Sequence, residues 1–250
     1  MFYDKESDFE DDLVAVLKRH GWTDGVLEYP TEQDLISNWA NILFDNNKGI
    51  DRLNGQRLTK GEMAQILEQI ETLRTPLALN SFINGKTVSI KRDNPADTAH
   101  FGKEISLKIY DRQEIAAGQS RYQIARQPIY PAKSKMLNDR RGDVCLLING
   151  MPVIHIELKK SGIPISQATN QIAKYAHEGV FTGLFRLVQV FVAMNPDDAV
   201  YFANPGEGDF NSNYFFHWAD FNNEPIAANK HVGQDEWKRF ASDLLSIPMA

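Results

Sequence analysis

The sequence has little of two features that define large classes of proteins. It contains one cysteine, Cys145, among 250 residues, which excludes an internal disulfide framework and a zinc site built from several cysteines. It has no run of 18 apolar residues, and its first residues, MFYDKESDFEDD, are acidic where a secretory signal is basic and then apolar. We therefore expect a soluble protein of a reducing compartment, the cytoplasm, with no membrane partner.

Net positive charge is also lacking, since the formal net charge is −6. Proteins that bind nucleic acid need Lys and Arg to neutralise phosphates. However, residues 101–174 contain twelve Lys and Arg against six Asp and Glu. Six of these basic residues surround the motif described below: Lys133, Lys135, Arg140, Arg141, Lys159 and Lys160. This basic stretch is compatible either with a solvated surface or with a DNA-binding groove.

Helical spacing of apolar residues dominates the first hundred residues. Ser7 followed by Glu10 predicts a capping box at the start of a first helix, and a second helix is expected over about 34–44. Thr59 and Glu62 repeat the capping pattern before a third helix.

From about residue 105 onward the apolar spacing shortens toward two, which is typical of strands. The predicted strands are SLKIY, RYQIARQPIY, DVCLLI, VIHIELK, LVQVFVAM and AVYFAN. Residues 167–177 return to helical spacing, and DEWKRFASDLL predicts a short last helix. This order favours a mixed sheet covered by helices on both faces.

The segment RRGDVCLLINGMPVIHIELKKSG carries the most chemical information. Asp143 opens one strand, Asn149 and Gly150 form a strong hairpin signal, and Glu157 and Lys159 lie near the end of the returning strand. Because side chains alternate along a strand, Glu157 and Lys159 share a face. Three charged residues therefore converge at one end of a predicted hairpin.

The length of the hairpin loop decides whether the two carboxylates meet. A two-residue loop pairs Asp143 with Ile156 and sends its carboxylate to the wrong face. A three-residue loop, or a bulge near Met151 and Pro152, pairs Asp143 with Glu157 instead.

Two carboxylates side by side next to an ammonium group favour a bound cation. Hard oxygen ligands select Mg²⁺, with Mn²⁺ as an alternative. Such a site suits hydrolysis of phosphodiesters, with Lys159 orienting water or stabilising negative charge. An ordinary exposed hairpin is the alternative explanation of a lone ExK triplet. His155 shares the face of Glu157, where a supporting role is expected, and Cys145 is expected in the core.

These residues resemble the PD-(D/E)xK nuclease motif, and in detail the N-terminal endonuclease domain of the restriction (R) subunit of type I restriction-modification enzymes. The resemblance implies that Asp143 and Glu157 bind the metal and that Lys159 is the catalytic lysine. Gly142 departs from the motif, because it stands where the motif has proline. The resemblance covers most of the chain, in the segments SDFEDDLVAVLKRHGW, LTKGEMAQIL, RYQIARQ, RRGDVCLLINGMPVIHIELKK and QATNQIAKYAHEG.

Three further residues gain a catalytic role from the resemblance. Gln171 and Tyr175 match the QxxxY element of this nuclease subtype, although residues four apart on a helix could simply pack against a neighbour. Glu10 is a candidate for an extra acidic residue that the first helix contributes at the edge of the metal site, which competes with its role in the capping box.

The resemblance also implies a fold and a domain organisation. We expect one α/β nuclease domain with a restriction-endonuclease-like α-β-β-β-α-β core and a helical insertion after the first helix. The expected parts are a core helix at about 8–20, the insertion at about 30–100, the catalytic sheet and helix at about 105–205, and a C-terminal extension at about 206–250.

The implied activity is Mg²⁺-dependent endonucleolytic cleavage of double-stranded DNA, coupled in a longer protein to ATP-driven translocation. The GKT at 85–87 lacks the first glycine of a phosphate-binding loop, so ATP would bind only motor domains absent from this chain. Expected partners are DNA, those motor domains, and methylation and specificity subunits. A free-standing repair or recombination nuclease and a non-catalytic DNA-binding or assembly module remain as alternatives.

Overall fold

The computed structural model describes residues 2–85, 87–109, 120–132, 138–219 and 236–247. Lys133 and Lys135, candidate residues of a DNA-binding groove, lie outside these ranges. The helices are α1 (Glu6–Arg19), α2 (Glu32–Asn47), α3 (Lys60–Glu71), α4 (Pro76–Ile83), α5 (Ser166–His177) and α6 (Glu236–Asp243). The strands are β1 (Val26–Glu28), β2 (Thr87–Lys91), β3 (Glu104–Lys108), β4 (Tyr122–Arg126), β5 (Ile129–Tyr130), β6 (Arg140–Arg141), β7 (Val144–Ile148), β8 (Met151–Leu158), β9 (Val190–Asn195), β10 (Asp198–Ala203) and β11 (Phe216–His217).

The main sheet of the described residues has the strand order β1-β4-β7-β8-β9-β10-β11. Strands β1 and β4 are parallel, as are β8 and β9, and the remaining neighbours are antiparallel. The sheet is therefore mixed, and α1, β4, β7, β8, α5 and β9 form the predicted α-β-β-β-α-β core. This confirms the expected fold class.

Both faces of the sheet are covered by helices. Successive residues of the central strands point to opposite faces and therefore pack against different helices. Val144 and Leu146 pack with α1 and α6, whereas Cys145 and Leu147 pack with α2 and α3. Helix α5 packs against β9 and β10. Cys145 is fully buried, as expected.

Strand β3 does not belong to the main sheet, contrary to the predicted boundary of the catalytic sheet at about 105. It pairs with β2 in a separate two-stranded sheet. One face of this ribbon buries alternate apolar residues against the helices of the insertion, and the other face is exposed. The insertion is therefore not purely helical. The three-residue strand β1 is too short for periodicity to reveal.

The predicted capping boxes had different outcomes. Thr59 and Glu62 form the box at the start of α3, as predicted. The prediction of a capping box at Ser7 and Glu10 is wrong. Helix α1 begins one residue before Ser7, and its N-cap residue, Lys5, makes no side-chain capping bond. Ser7 is already helical and bonds Asp8.

The predicted C-terminal helix is confirmed as α6, which packs on α1. The rings of Phe9 and Trp237 meet edge to face with centroids 5.1 Å apart, and Nε1 of Trp22 donates to the carbonyl of Leu245 at 2.6 Å. Among the described helices, none combines the length and apolar character needed to cross a membrane.

Candidate active site

The hairpin between β7 and β8 brings the candidate catalytic residues together. Asn149 and Gly150 form its two-residue loop, with φ of 50° and 83° respectively, which is the backbone of a type I′ turn. Gly150 is also needed for space, because a Cβ there would lie 2.9 Å from Cα of Trp39. The turn pairs Ile148 with Met151.

A bulge in β8 corrects the register. Leu147 pairs with Pro152, but Leu146 pairs with Ile154, so Val153 is the extra residue. Beyond the bulge, Val144 pairs with Ile156, which places Asp143 opposite Glu157. Of the alternatives that the sequence left open, the two-residue loop with a bulge is therefore right.

The two carboxyl groups occupy an environment that favours their protonated forms. Asp143 is half-buried and accepts the backbone N–H of Leu158 at 2.7 Å, while Glu157 is fully buried. Burial, together with the nearby Glu157, raises the pKa of Asp143 well above its usual range. Burial raises the pKa of Glu157 to about 8, despite the opposing effects of Asp143 and Lys159. Without a cation, the pair holds a proton.

The unpaired oxygen of Glu157 tests whether a cation fits. Its Oε1 lies 3.0 Å from Nε2 of His155, but its buried Oε2 has no hydrogen-bond partner among the described residues. Asp143 is an acceptor too, so the two carboxylates need a shared proton or a cation. The described residues contain no cluster of three His, Cys, Asp or Glu side chains able to hold a metal. Two carboxylates with water and substrate oxygens fit Mg²⁺, which retains several waters in proteins.

Lys159 lies beside both carboxylates at the end of β8. Its charge lowers the pKa of each of them. Its Nζ donates to the carbonyl of Leu158 at 2.7 Å and lies 3.6 Å from Oε1 of Glu6. Glu6, from the start of α1, was not anticipated from the sequence.

Glu10 lies against the opposite face of the sheet. Its Oε1 accepts from Nε of Arg126 at 2.7 Å, and its Oε2 accepts from Nε2 of Gln127 at 3.1 Å. The backbone N–H of Gln127 donates to the carbonyl of Asp143 at 2.7 Å. Glu10 is thus linked to the backbone of Asp143 through Gln127, and its role at the metal site stays a prediction.

Gln171 and Tyr175 are hydrogen-bonded to each other and to the chain that leads to Asp143. Nε2 of Gln171 donates to Oη of Tyr175 at 2.8 Å, and Oη donates to the carbonyl of Arg141 at 3.0 Å. Burial and then the nearby Glu157 raise the pKa of Tyr175 to about 12. The pair therefore lies beside the site, and its contribution to catalysis stays a prediction.

The described basic residues of the candidate DNA-binding groove differ in whether their charged groups already have partners within the protein. The guanidinium group of Arg140 makes two hydrogen bonds to the carboxylate of Glu178, at 2.7 and 2.8 Å. Arg141 is exposed, and Nζ of Lys160 lies 3.2 Å from the carbonyl of Asp4. Arg140 also lines an open cleft of about 330 Å³, together with Gln167, Asn170, Gln171, Lys174 and Tyr175.

His155 contacts Glu157, as its position on the shared face predicts. Burial lowers its pKa to about 4, so the ring is neutral near pH 7. Its second nitrogen contacts Tyr130, which sequence reasoning missed because nothing in the spacing of β5 distinguishes this tyrosine from an ordinary core residue.

Comparison with known proteins supplies a family. Residues 6–210 match the family described as type I restriction enzyme R protein N terminus. Over 230 residues the chain is 32% identical to a type I restriction enzyme endonuclease subunit of Staphylococcus saprophyticus, covering 90% of this chain and 22% of that protein. A similar subunit of Staphylococcus aureus is 28% identical over 226 residues, with the same coverage.

A type I restriction enzyme endonuclease subunit of Escherichia coli is 30% identical over 221 residues, covering 82% of this chain and 66% of that protein. The chain spans about a fifth of the length of the staphylococcal relatives it matches. The matched range 6–210 includes Asp143, Glu157, Lys159 and helix α5. The chain therefore belongs to the family of type I restriction enzyme R protein N termini.

Proposed function

We propose that this chain is the nuclease domain of a type I restriction enzyme R subunit and that it cleaves double-stranded DNA with Mg²⁺, or with Mn²⁺ in its place. The observation that carries the proposal is the placement of Asp143 opposite Glu157, whose buried Oε2 lacks a donor, next to Lys159. A purely structural hairpin gains nothing from burying two adjacent carboxyl groups.

The protein residues divide the chemistry between them. Asp143 and Glu157 would hold the metal. A bound Mg²⁺ supplies Lewis-acid polarisation of a phosphate oxygen and lowers the pKa of a coordinated water. Lys159, held by the carbonyl of Leu158 and by Glu6, is placed to stabilise the negative charge that develops on the phosphate. Its ion pair with the half-exposed Glu6 can exchange for a contact with the DNA.

Helix α5 forms one wall of the cleft beside the metal site. The bond from Tyr175 to the carbonyl of Arg141 holds the chain two residues before Asp143. Gln171 orients this hydroxyl and faces the same cleft as Lys174. We assign this pair to the positioning of Asp143 and of a DNA strand along α5.

The length of the relatives supports a role within a larger enzyme. The chain corresponds to 22% of the staphylococcal endonuclease subunits, which leaves room in those proteins for motor domains. In this proposal ATP binds those domains, translocation brings the DNA to the nuclease, and methylation and specificity subunits complete the assembly in the cytoplasm.

A plasmid nicking assay tests the proposal. The wild-type protein should nick supercoiled plasmid with Mg²⁺ and not with EDTA, and Asp143→Ala should reduce the rate by at least about 10²-fold, the order expected for removal of one essential electrostatic group. Asp139→Ala, which removes an exposed carboxylate outside the site, should cut at the native rate. Equal rates for wild type and Asp143→Ala would refute the assignment. DNA binding without cleavage under any metal would favour a non-catalytic module.

A further inference from the structure

The buried carboxylate of Glu157 continues into a chain of hydrogen-bonded side chains that the proposed chemistry leaves unused. Nε2 of His155 lies 3.0 Å from Oε1 of Glu157, and Nδ1 of His155 lies 2.7 Å from Oη of Tyr130. All three residues have no exposed surface. No water can replace either contact at full burial, so each group depends on its protein partner.

The chemistry of the three groups fixes the direction of the hydrogen bonds. A neutral imidazole has one N–H donor and one acceptor nitrogen. When Glu157 is ionised, as metal binding requires, its Oε1 is an acceptor, so the imidazole proton lies on Nε2 and is donated to it. Nδ1 must then accept, and the hydroxyl of Tyr130 is the donor. The hydroxyl thereby selects the tautomer that supports the carboxylate.

Gly142 is part of the same arrangement. A Cβ at this position would lie 2.8 Å from Cε1 of His155 and 2.8 Å from both Cε2 and Oη of Tyr130. Such distances are essentially not tolerated, so any other residue would displace the Tyr130–His155 contact. The chain thus has glycine where the nuclease motif has proline because the two aromatic rings occupy the space.

We infer that Tyr130 and His155 are positioning residues that fix Oε1 of Glu157, so that Oε2 is presented toward Asp143 and a bound divalent cation. This inference rests on the proposed function, because it assigns a role to residues behind the metal site. Removal of a group that orients a metal ligand typically costs 10- to 100-fold in metal affinity, as an order of magnitude.

The test is a calorimetric titration with Mn²⁺ in the absence of DNA, well below the melting temperature. Tyr130→Phe removes only the hydroxyl and retains the ring packing against Phe185, whose centroid lies 4.5 Å away. We expect it to weaken Mn²⁺ binding by about 10-fold or more. The matched control is Tyr122→Phe, which removes a tyrosine hydroxyl from a half-buried ring packed against Trp22, and it should bind Mn²⁺ as the wild type does.

A second variant separates positioning from general packing. In His155→Gln, the side-chain amide can donate to Glu157 without help from Tyr130. If Tyr130 acts through His155, Tyr130→Phe should cause no further loss of Mn²⁺ affinity in the His155→Gln protein. Independent, additive losses would overturn the inference. Because the cycle compares affinities of folded proteins, a lowered melting temperature alone cannot imitate this result.

The outcomes also distinguish this inference from the proposed function. If the wild-type protein binds Mn²⁺ and cuts DNA, and Tyr130→Phe binds Mn²⁺ equally well, the positioning role of Tyr130 is overturned. The nuclease assignment then remains intact. Wild-type protein that binds no Mn²⁺ would overturn both.

Discussion

At the scale of single residues, the buried carboxyl of Glu157 has the largest energetic consequences. One oxygen is paired with His155 and the other faces a second carboxyl group, with no exposed surface. Ionising such a group without a cation is unfavourable, because burial raises its pKa to about 8 even though Asp143 and Lys159 act in the opposite direction. The structure therefore couples folding stability to pH, and the proposed cation would be coupled to both.

This coupling predicts a pH dependence of stability. The pKa of Glu157 rises from 4.5 in the unfolded chain to about 8 in the fold, so its contribution is present below pH 4.5 and is lost as the pH rises to 8. Glu157→Gln stays neutral throughout. In EDTA, we expect its melting temperature relative to wild type to increase by at least about 2–4 °C between pH 5 and pH 8.5, equivalent to ~1 kcal/mol. Parallel melting curves across this range would contradict the coupling, and saturating Mg²⁺ should stabilise only the wild type at high pH.

Lys159 gives a second prediction at this scale. Its ammonium group is not a metal ligand, so Lys159→Ala should retain Mg²⁺ binding in calorimetry. Plasmid cleavage should fall by about 10²-fold or more, because the proposed mechanism uses this charge to stabilise the transition state. Lys18→Ala, which removes an exposed lysine from the last turn of α1 outside the site, is the control. Lost metal affinity in Lys159→Ala would instead assign the lysine to maintaining the carboxylates.

The sequence predicts these residues to different extents. Asp143, Glu157 and Lys159 could be placed because one hairpin carries all three. Glu6 could not, because its contact with Lys159 joins the first helix to the eighth strand, and no local pattern encodes a contact across that separation. The hydrogen-bonded chain from Tyr130 through His155 to Glu157 could not be predicted for the same reason.

At the scale of elements, the bulge in β8 and the packing of α1 determine the geometry of the candidate active site. The strands and helices of the core can be predicted from periodicity and turn residues. The sequence offers a bulge only as one of several possible hairpin registers, and the structure places it at Val153. The edge strand β1 and the partner of β3 depend on tertiary contacts. Helix α1 is held by Glu10, whose buried carboxylate binds the end of β4 through Arg126.

Glu10→Gln tests what α1 contributes. Replacing the carboxylate weakens a charge-assisted bond to Arg126, which should cost about 1–3 kcal/mol of unfolding free energy. We also expect most Mg²⁺-dependent cleavage to be lost, because Gln127, which Glu10 holds, is bonded to the backbone of Asp143. Asp11→Asn, on the exposed side of the same arginine, should change stability by less than about 1 kcal/mol. Native cleavage by a destabilised Glu10→Gln protein would restrict Glu10 to holding the helix.

At the scale of the whole molecule, a net charge of −6 coexists with a basic stretch around the site. The fold places the N-terminal acidic helix beside that stretch, where Glu6, Glu10 and Asp11 neutralise part of it. Net charge alone is therefore a poor guide to whether this surface can bind phosphates. What remains available for phosphates depends on which arginines and lysines are already paired.

The salt dependence of DNA binding distinguishes paired from available charges. The exposed Arg141 has no ion pair within the described residues, whereas Arg140 is bonded to Glu178. Arg141→Ala should reduce the slope of log affinity against log salt by about 1, and Arg140→Ala should reduce it less. Fluorescence anisotropy with a DNA duplex in EDTA measures both slopes. Equal reductions would show that the Arg140–Glu178 pair opens on DNA.

The central claim is that Asp143 and Glu157 jointly bind the divalent cation that supports DNA cleavage. The most direct measurement is an anomalous difference map from crystals soaked in Mn²⁺ at a concentration that supports cleavage. We predict a peak at coordination distance from a carboxylate oxygen of Asp143 and from Oε2 of Glu157, absent in crystals of Asp143→Asn. Well-ordered wild-type crystals with no peak between these carboxylates, or with a peak bound by other residues alone, would contradict the account.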